Sequence, residues 1–216
     1  MSVARHEPEP GRDCPRCPRL VAFRDDNRAK WPDWHNAPVP SFGPHDAAIL
    51  IVGLAPGLRG ANRTRRPFTG DFAGQLLYPT LLKFGFAEGH YGEAADDGLT
   101  LVDCRITNAV RCVPPQNKPV GAEINACRPY LLAEIDAMTQ LRIILALGTV
   151  AHASILRTLG LKQKDWRFGH GAMHDLPTGH VLADSYHCSR YNTNTGRLTE
   201  AMFHDVFEAL ASRVRA

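Results

Sequence analysis

The stretch 49–74 combines residue types that could form a ligand site at the end of a buried strand. Its sequence, ILIVGLAPGLRGANRTRRPFTGDFAG, opens with an apolar run that is typical of such a strand. Gly53 and Gly57 follow the run, and glycines let the backbone approach a ligand closely. Four arginines then occur within eight residues, before an aromatic ring at Phe68 and a carboxylate at Asp71. These features favour an anionic ligand with a flat ring, such as a nucleotide of a nucleic acid.

Four of the six cysteines have a spacing that is typical of a metal site. Cys14 and Cys17 form a C-x2-C pair, and Cys112 and Cys127 form a C-x14-C pair further along the chain. Four thiolates can surround either a zinc ion or an iron–sulfur cluster, and the spacing does not distinguish the two. Buried thiols scattered through the core are the alternative explanation.

The elements that must position these residues are predicted to form a parallel sheet. The expected strands are 47–52, 101–110, 142–147 and 180–185, and the expected helices are 19–30, 74–84, 122–138, 149–159 and 198–214. Apolar strands that alternate with helices predict a sheet with helices on both faces. Ligands bind beyond the carboxyl ends of such strands, where we expect Gly53, Asn108, Gly148 and His187. Residues 168–176 are expected to be irregular or to form an edge strand.

Composition limits the class of protein. The chain has 216 residues, of which 44% are hydrophobic, and a net charge of +3. We expect a flexible tail at 1–12 and a single domain at 13–216. The polar N-terminal segment has no apolar region of a secretory signal, and no run approaches the ~20 apolar residues of a membrane span. We therefore expect a cytoplasmic protein, in which disulfides are disfavoured and the cysteines need another role.

Four motifs carry a resemblance to a known family. GLAPG, NRTRRPFTGD, ITNAVRCVPPQNKP and SYHCSRYNTNTGRLT occur in this order. With them the chain resembles the family 5 (type b) uracil-DNA glycosylases over nearly its whole length. The resemblance implies an αβα sandwich with a four-stranded parallel sheet. It also implies a [4Fe–4S] cluster of mainly structural role, held by Cys14, Cys17, Cys112 and Cys127.

The resemblance further implies an activity. It indicates a monofunctional DNA glycosylase of base excision repair, which hydrolyses the N-glycosidic bond of uracil and leaves an abasic site. Family members also accept hypoxanthine and xanthine, so the same is expected here. The expected partner is DNA with a deaminated base. The protein is expected to act as a monomer and not to bind a membrane. Among the pocket motifs, only Lys118 could supply an amine for a Schiff base.

Two positions in these motifs bear on catalysis. The usual His-Pro-Ser motif is His187-Cys188-Ser189 here, and cysteine gives that loop a backbone N–H and more freedom than proline. Other branches of the superfamily place a water-activating carboxylate at or beside the position of Ala55. Leu54 and Ala55 are both apolar, so no general base is expected there.

Each site residue has an expected role. His187 would donate to the base O2, Asn108 would bond the Watson–Crick edge, and Phe68 would stack on the flipped base. The expected base-binding residues are Ala55, Pro56, Gly57, Phe68 and Asn108. The expected phosphate-binding residues are Arg59, Arg63, Thr64, Arg65, Arg66, Ser189 and Arg190.

Other roles remain open from the sequence. Asp71 or Asn62 could orient the water, although Asp71 could instead cap the following helix. Asn108 could simply cap a strand end. Arg190 or Tyr191 could fill the space that the flipped base leaves.

Other function classes fit the sequence less well. A non-catalytic iron–sulfur protein that binds nucleic acid would need the cysteines and arginines but neither His187 nor Asn108. A different α/β enzyme is disfavoured because the chain has no G-x-G-x-x-G, no P-loop and no G-x-S-x-G. A redox protein is the third alternative, and an absorption band in the visible range would show whether the chain holds iron or zinc.

Overall fold

A central five-stranded sheet organises the protein, whose computed structural model describes residues 9–215. Its strands are β1 (Ile49–Gly53), β4 (Cys104–Asn108), β5 (Ile143–Leu147), β6 (Met173–Asp175) and β7 (Val181–Ser185). Their order across the sheet is β4-β1-β5-β7-β6. A separate short hairpin joins β2 (Ala87–Glu88) to β3 (Thr100–Leu101).

Helices cover both faces of the sheet. The longer helices are α1 (Pro18–Lys30), α3 (Phe72–Phe84), α4 (Gly121–Ala137), α5 (Thr149–Thr158) and α7 (Glu200–Arg215), and the short ones are α2 (Ala61–Thr64) and α6 (Arg190–Asn194). Alternate residues of β1 point to opposite faces. Ile49 and Ile51 pack in one core with α3 and α7, whereas Leu50 and Val52 pack in the other with α4 and α5. The predicted three-layer αβα sandwich is therefore confirmed.

The parallel register aligns the carboxyl ends of the strands. Gly53 at the end of β1 pairs with Asn108 at the end of β4, and Leu147 pairs with Ser185 across β5 and β7. Residues that follow these four strands therefore meet at one edge of the sheet, as expected for a ligand site in this type of fold.

The predicted strand number was too low by one. β4, β1, β5 and β7 are parallel as expected, but β6 adds a short antiparallel strand at the edge. A tight turn at 176–180 returns the chain from β6 to β7, with Leu176 N donating to His180 O at 2.8 Å. Three partly exposed residues give no strong apolar pattern, so only the edge-strand alternative for 168–176 anticipated β6.

Part of the predicted domain division concerns residues that the structure does not cover. Most of the predicted tail, at 1–8, lies outside the described residues. Within the described part, Glu9 Oε1 accepts a hydrogen bond of 2.9 Å from Ser41 N. The division at residue 12 remains a prediction. No helix within 9–215 is both long and apolar enough to cross a membrane.

Candidate active site

A pocket of about 590 Å³ opens at the carboxyl edge of the sheet. It is lined by the segments that follow β1, β4, β5 and β7 and by the first residues of α3, α5 and α6. The predicted site residues that line it are Ala55, Pro56, Gly57, Phe68, Asp71, Asn108, His187, Ser189 and Arg190. The structure thus brings together residues from three distant parts of the sequence.

Phe68 and His187 face one another inside this pocket. Their ring centroids are 6.0 Å apart, with 32° between the planes. Gly53 lies beside both Phe68 and Asn108: a Cβ at this glycine would be 2.6 Å from Phe68 Cζ and would overlap the Asn108 carboxamide oxygen. The ring and the amide can therefore approach the end of β1 only because residue 53 has no side chain.

His187 is held neutral at ordinary pH. Burial lowers the pKa of its imidazole from 6.5 to about 4, because charging the ring inside the protein is costly. Its Nδ1 atom is buried and has no hydrogen-bond partner among residues 9–215. Asn192 Nδ2 donates to the His187 carbonyl at 2.9 Å, which ties the His187 loop to the start of α6. A neutral imidazole at this place can donate one hydrogen bond to a ligand.

Asp71 caps α3 and also faces the pocket. Its Oδ1 accepts a hydrogen bond of 3.2 Å from Gly74 N, so the sequence-based capping role is correct. Burial raises the pKa of this carboxyl group. A Cβ at Gly57 would be 3.1 Å from Asp71 Oδ2, so the carboxylate lies directly against the GLAPG turn. The side chain can serve as a cap and still present one oxygen near the pocket.

Cys188 is enclosed beneath the His187 loop. Its side chain is fully buried in the core that contains Phe68, and burial, with a smaller contribution from the Asp71 charge, raises the pKa of its thiol. The residue that replaces the usual proline therefore behaves as an apolar core side chain. Cys188 is absent from the pocket lining.

Six of the predicted catalytic and DNA-binding residues are absent from the pocket lining, and three of these are engaged elsewhere in the protein. Asn62 is buried and donates to Asn36 Oδ1 at 2.9 Å. The Thr64 hydroxyl bonds to carbonyl groups of its own loop, including Thr69 O at 3.0 Å. The Arg66 guanidinium is buried in an ion pair with Asp97, at 2.7 Å. Asn62 is therefore not placed to orient water, and Arg66 is not placed to bind phosphate.

The other four arginines remain open to solvent. Arg59, Arg63, Arg65 and Arg190 are exposed, and none forms an ion pair with an acidic side chain in the described part of the chain. The Arg190 guanidinium lies 5.2 Å from the centre of the Phe72 ring. Ser189 caps α6, accepting from Asn192 N at 3.4 Å. Of the four arginines, Arg190 lines the pocket, whereas Arg59, Arg63 and Arg65 do not, and Arg65 lines a separate cavity with Glu9 and His35.

Several lining residues were not anticipated from the sequence. Asn117 reaches the pocket from the proline-rich loop, where its φ of 56° is unusual for a residue other than glycine. Phe168, Tyr186 and Arg197 line the opposite side, with the Arg197 guanidinium 4.7 Å from the centre of the Tyr186 ring. Tyr186 directly follows β7, so the strand-end rule could have identified it. Asn117 and Arg197 lie within two of the quoted motifs, which could have indicated them, whereas no motif includes Phe168.

The four predicted metal-ligating cysteines line a second, small cavity beneath the N-terminal helix. Cys14, Cys17, Cys112 and Cys127 surround it, and burial together with the neighbouring thiols raises the pKa of Cys17 to about 11. The backbone N–H of Arg111 donates to Cys127 Sγ at 3.3 Å.

Two buried guanidinium groups line the same cavity. Arg24 and Arg111 are 4% and 1% exposed, and the Nε atom of each has no hydrogen-bond partner within 9–215. The other nitrogens are engaged, since Arg24 Nη1 donates to Cys14 O at 3.1 Å and Arg111 forms a buried ion pair with Glu134. The two Nε donors beside four thiols fit an anionic group, such as a thiolate-bound metal centre.

The spacing of these thiols bears on the kind of metal centre. Four thiolates around one zinc ion, at about 2.3 Å from it, must lie about 3.8 Å from one another. Among the described residues, no three cysteine, histidine or carboxylate side chains are placed to hold a single metal ion. The kind of metal centre, zinc or an iron–sulfur cluster, therefore stays a prediction.

Comparison with known proteins agrees with this arrangement. Residues 40–211 match the family model described as the uracil DNA glycosylase superfamily. A type-5 uracil-DNA glycosylase of Thermus thermophilus is 44% identical over 89% of this chain and 90% of its own. A type-5 enzyme of Pyrobaculum aerophilum is 38% identical over 93% of this chain and 88% of its own. A type-4 uracil-DNA glycosylase of Saccharolobus solfataricus is 30% identical over 94% of this chain and 84% of its own. The chain therefore belongs to the uracil DNA glycosylase superfamily and, within it, to the type-5 uracil-DNA glycosylases.

Proposed function

We propose that the protein removes uracil, and also hypoxanthine and xanthine, from DNA and leaves an abasic site for base excision repair. The observation that carries this proposal is the pairing of the Phe68 ring with the neutral His187 imidazole, 6.0 Å apart in the same pocket as Asn108. A flat base that leaves the helix can stack on Phe68 while the two polar side chains bond its edge.

The chemical step requires stabilisation of a departing base that becomes negatively charged. Breaking the bond between C1′ and the base nitrogen leaves positive charge on the sugar and negative charge on the base. A neutral His187 donates a hydrogen bond to the base O2 atom in a site shielded from water, where such a bond is strongest. Asn108, which lies at the end of β4, bonds the Watson–Crick edge and selects the base.

Asp71 positions the attacking water in this proposal. No acidic side chain follows β1 in the GLAPG turn, and Asp71 is the carboxylate that lies against this turn. One of its oxygens caps α3, which leaves the other to accept a hydrogen bond from water. Its raised pKa, which burial causes, makes it a better proton acceptor than an exposed aspartate.

The pocket lining supports a broad range of bases and a hydrolytic product. Ala55 is small, and the volume of about 590 Å³ leaves room for a purine as well as a pyrimidine. No lysine is among the described residues that line the pocket, so no amine is available to form a Schiff base with the sugar. The reaction therefore ends at the abasic site.

DNA binding is assigned to Arg190 at the pocket and to the exposed arginines of the segment that follows β1. Arg59, Arg63, Arg65 and Arg190 contact phosphates, and Ser189 contributes a hydroxyl beside them. Tyr191 is 72% exposed at the pocket mouth, whereas the Arg190 guanidinium already packs on Phe72. Tyr191 is therefore the residue that enters the base stack after the damaged base has left it.

The cysteine cavity holds a [4Fe–4S] cluster in this proposal. Cys14, Cys17, Cys112 and Cys127 supply the thiolates, and the Nε atoms of Arg24 and Arg111, which have no hydrogen-bond partner among the described residues, face the same cavity. Such a cluster connects the start of α1 to α4 and so has a structural role. Elemental analysis of protein purified without oxygen should give four irons per chain, and Cys112→Ser should lose them. One zinc per chain would overturn this assignment.

A base-release assay tests the proposed activity. Matched duplexes would carry uracil, hypoxanthine, xanthine or an undamaged base at one position, and abasic product would be measured in single turnover. We expect release of the three deaminated bases but not of the undamaged one. Absence of release from iron-replete protein would overturn the proposal.

Substitution of His187 separates catalysis from binding. His187→Ala should reduce base release by at least about 100-fold, the scale on which one donor to a developing anion acts. Duplex affinity should change little, because the phosphate contacts remain. His45→Ala removes an exposed histidine outside the pocket lining and serves as the matched control. Equal rates for His187→Ala and the wild type would contradict the assigned role.

A further inference from the structure

Phe68 has a backbone conformation that its own sequence does not favour. Its φ angle is 54°, in the left-handed region that costs residues other than glycine energy. The side chain is nevertheless 6% exposed and lines the pocket opposite His187. Some other part of the protein must therefore hold this residue in place.

Hydrogen bonds to the peptide groups at and before Phe68 provide this support. The Tyr91 hydroxyl donates to the Phe68 carbonyl at 3.3 Å, and the Tyr78 hydroxyl donates to the Pro67 carbonyl at 2.5 Å. A Cβ at Gly74 would be 3.0 Å from the Phe68 carbonyl carbon and would overlap its oxygen, so α3 can approach only with glycine there. Both tyrosines lie outside the pocket lining.

Arg66 and Asp97 connect these groups. Arg66 Nη1 and Nη2 donate to the two oxygens of Asp97, each at 2.7 Å, and Arg66 Nε donates to Thr69 Oγ1 at 2.7 Å. Both side chains of the ion pair are 4% exposed. The guanidinium lies 5.2 Å from the centre of the Tyr78 ring and 5.8 Å from that of Tyr91. The Arg66 side chain thus connects Thr69, which follows Phe68, to the two tyrosines that bond the Pro67 and Phe68 carbonyls.

Asp97 anchors this arrangement in the segment between β2 and β3. Its carboxylate accepts hydrogen bonds from Gly92 N at 2.8 Å and from Leu99 N at 3.0 Å. The hydrogen bonds from Arg66 keep the pKa of Asp97 well below its usual range, so the ion pair persists in mildly acidic solution. The β2–β3 segment, which touches no part of the pocket, therefore reaches the Phe68 loop in two ways: directly through Tyr91, and through the ion pair of Asp97 with Arg66.

We propose that the Arg66–Asp97 ion pair is a positioning device that holds the Phe68 ring at the angle needed to stack on the flipped base. The inference rests on the proposed function, because it assigns Phe68 the stacking role. The ion pair touches neither DNA nor base. It acts on the chemical step through the orientation of one ring.

The test compares base release with binding to DNA that has no base to stack. Arg66→Lys keeps the charge but loses the forked contact, and Asp97→Asn keeps the shape but loses the charge. Either should lower the single-turnover rate on a uracil duplex by about 10- to 100-fold, the effect of a small misplacement at a reacting site. Affinity for a duplex with a tetrahydrofuran abasic analogue should stay within twofold of wild type.

A double-mutant comparison identifies the ring as the intermediary. Phe68→Ala alone should slow base release, and adding Arg66→Lys to it should cause no further loss, since the second change acts only through the missing ring. The proposal would be overturned if the losses of rate caused by Phe68→Ala and by Arg66→Lys multiplied in the double mutant. Unchanged rates in folded Arg66→Lys and Asp97→Asn would also overturn it.

Two control variants distinguish a loss of stability from a loss of catalytic rate. Leu156→Ala, in α5 on the opposite face of the sheet, destabilises the core without contacting the Phe68 loop and should retain the wild-type rate below its melting temperature. If Arg66→Lys does not fold, Tyr91→Phe removes only the bond to the Phe68 carbonyl and should show a smaller loss of the same kind. A wild-type protein that releases no base would refute the proposed function instead.

Discussion

The low pKa of His187 links the stability of the fold to pH. The folded protein keeps the imidazole neutral down to about pH 4, whereas an unfolded chain protonates it near pH 6.5. Between these values the unfolded chain binds more protons, so the free energy of unfolding rises with pH and falls as the solution is acidified. His187→Asn should reduce the loss of stability between pH 7.5 and pH 5 by about 2 kcal/mol.

Urea unfolding of both proteins at these two pH values measures the effect. The buried pair of His152 and Asp184 has the opposite effect on the pH dependence of the free energy of unfolding. Burial alone would lower the pKa of His152, but the carboxylate outweighs it and raises the pKa, so that pair stabilises at low pH. It is present in both proteins and cancels in the difference. An equal loss of stability in wild type and His187→Asn would contradict the prediction.

Gly53 tests whether the base site depends on close contact at the end of β1. A methyl group there would lie 2.6 Å from Phe68 Cζ and overlap the Asn108 carboxamide. Gly53→Ala should therefore displace both side chains and slow base release by about 100-fold. Gly121→Ala, where a Cβ meets nothing within 4 Å, is the matched control. A wild-type rate in Gly53→Ala would show that neither contact matters.

Individual site residues were predictable where they follow a strand or belong to a motif. His187 and Asn108 end up in one pocket because parallel strands bring their carboxyl ends together. Arg66 was misassigned because a basic loop residue is usually solvated, and its partner Asp97 lies 31 residues away in a segment with no motif. Long-range pairing of this kind leaves no local trace in the sequence.

At the level of elements, α3 begins directly after Asp71, the residue whose role the sequence left open. Asp71 caps this helix, and its second oxygen lies near the pocket. Asp71→Ala should lower the free energy of unfolding by about 1 kcal/mol, and Asp71→Ser should largely restore it because serine is also a good cap. Base release should remain slow in both, since neither side chain supplies a carboxylate to the water.

Rates and unfolding curves for the two variants separate the roles of Asp71. A rate in Asp71→Ser equal to that of the wild type would mean that this residue acts only as a cap. Asp96→Ser, an exposed substitution in the β2–β3 segment, should leave both quantities unchanged. The comparison depends on measuring both variants at a temperature where each is folded.

The sheet was predictable in its centre and not at its edge. β1, β4, β5 and β7 are buried strands of five residues, and β1 and β5 are continuous runs of apolar or small side chains, whereas β4 (CRITN) alternates apolar with polar ones. Such runs identify a parallel sheet with covered faces. β6 and the β2–β3 hairpin are two or three residues long, and hydrogen bonds to a neighbouring strand, more than their own side chains, define them. Pairing partners cannot be deduced from so few residues.

At the scale of the whole molecule, the distribution of charge should govern DNA binding. The net charge is only +3, yet the exposed arginines at 59, 63 and 65 cluster in one segment and have no acidic ion-pair partner in the described chain. Each phosphate contact releases counterions and adds about 0.9 to the slope of log affinity against log salt concentration. A small net charge can therefore accompany strong and salt-dependent binding.

Arg63 and Arg157 provide a matched test of this distribution. Both are exposed arginines, but Arg63 lies in the short helix α2, within the basic segment that follows β1, whereas Arg157 lies in the last turn of α5. Arg63→Gln should weaken binding to a uracil duplex and reduce the salt slope by about 0.9, because one phosphate contact is lost. Arg157→Gln has the same change of charge and should leave the slope unaltered. Equal changes in both variants, measured by titration over a series of salt concentrations, would mean that only net charge attracts the DNA.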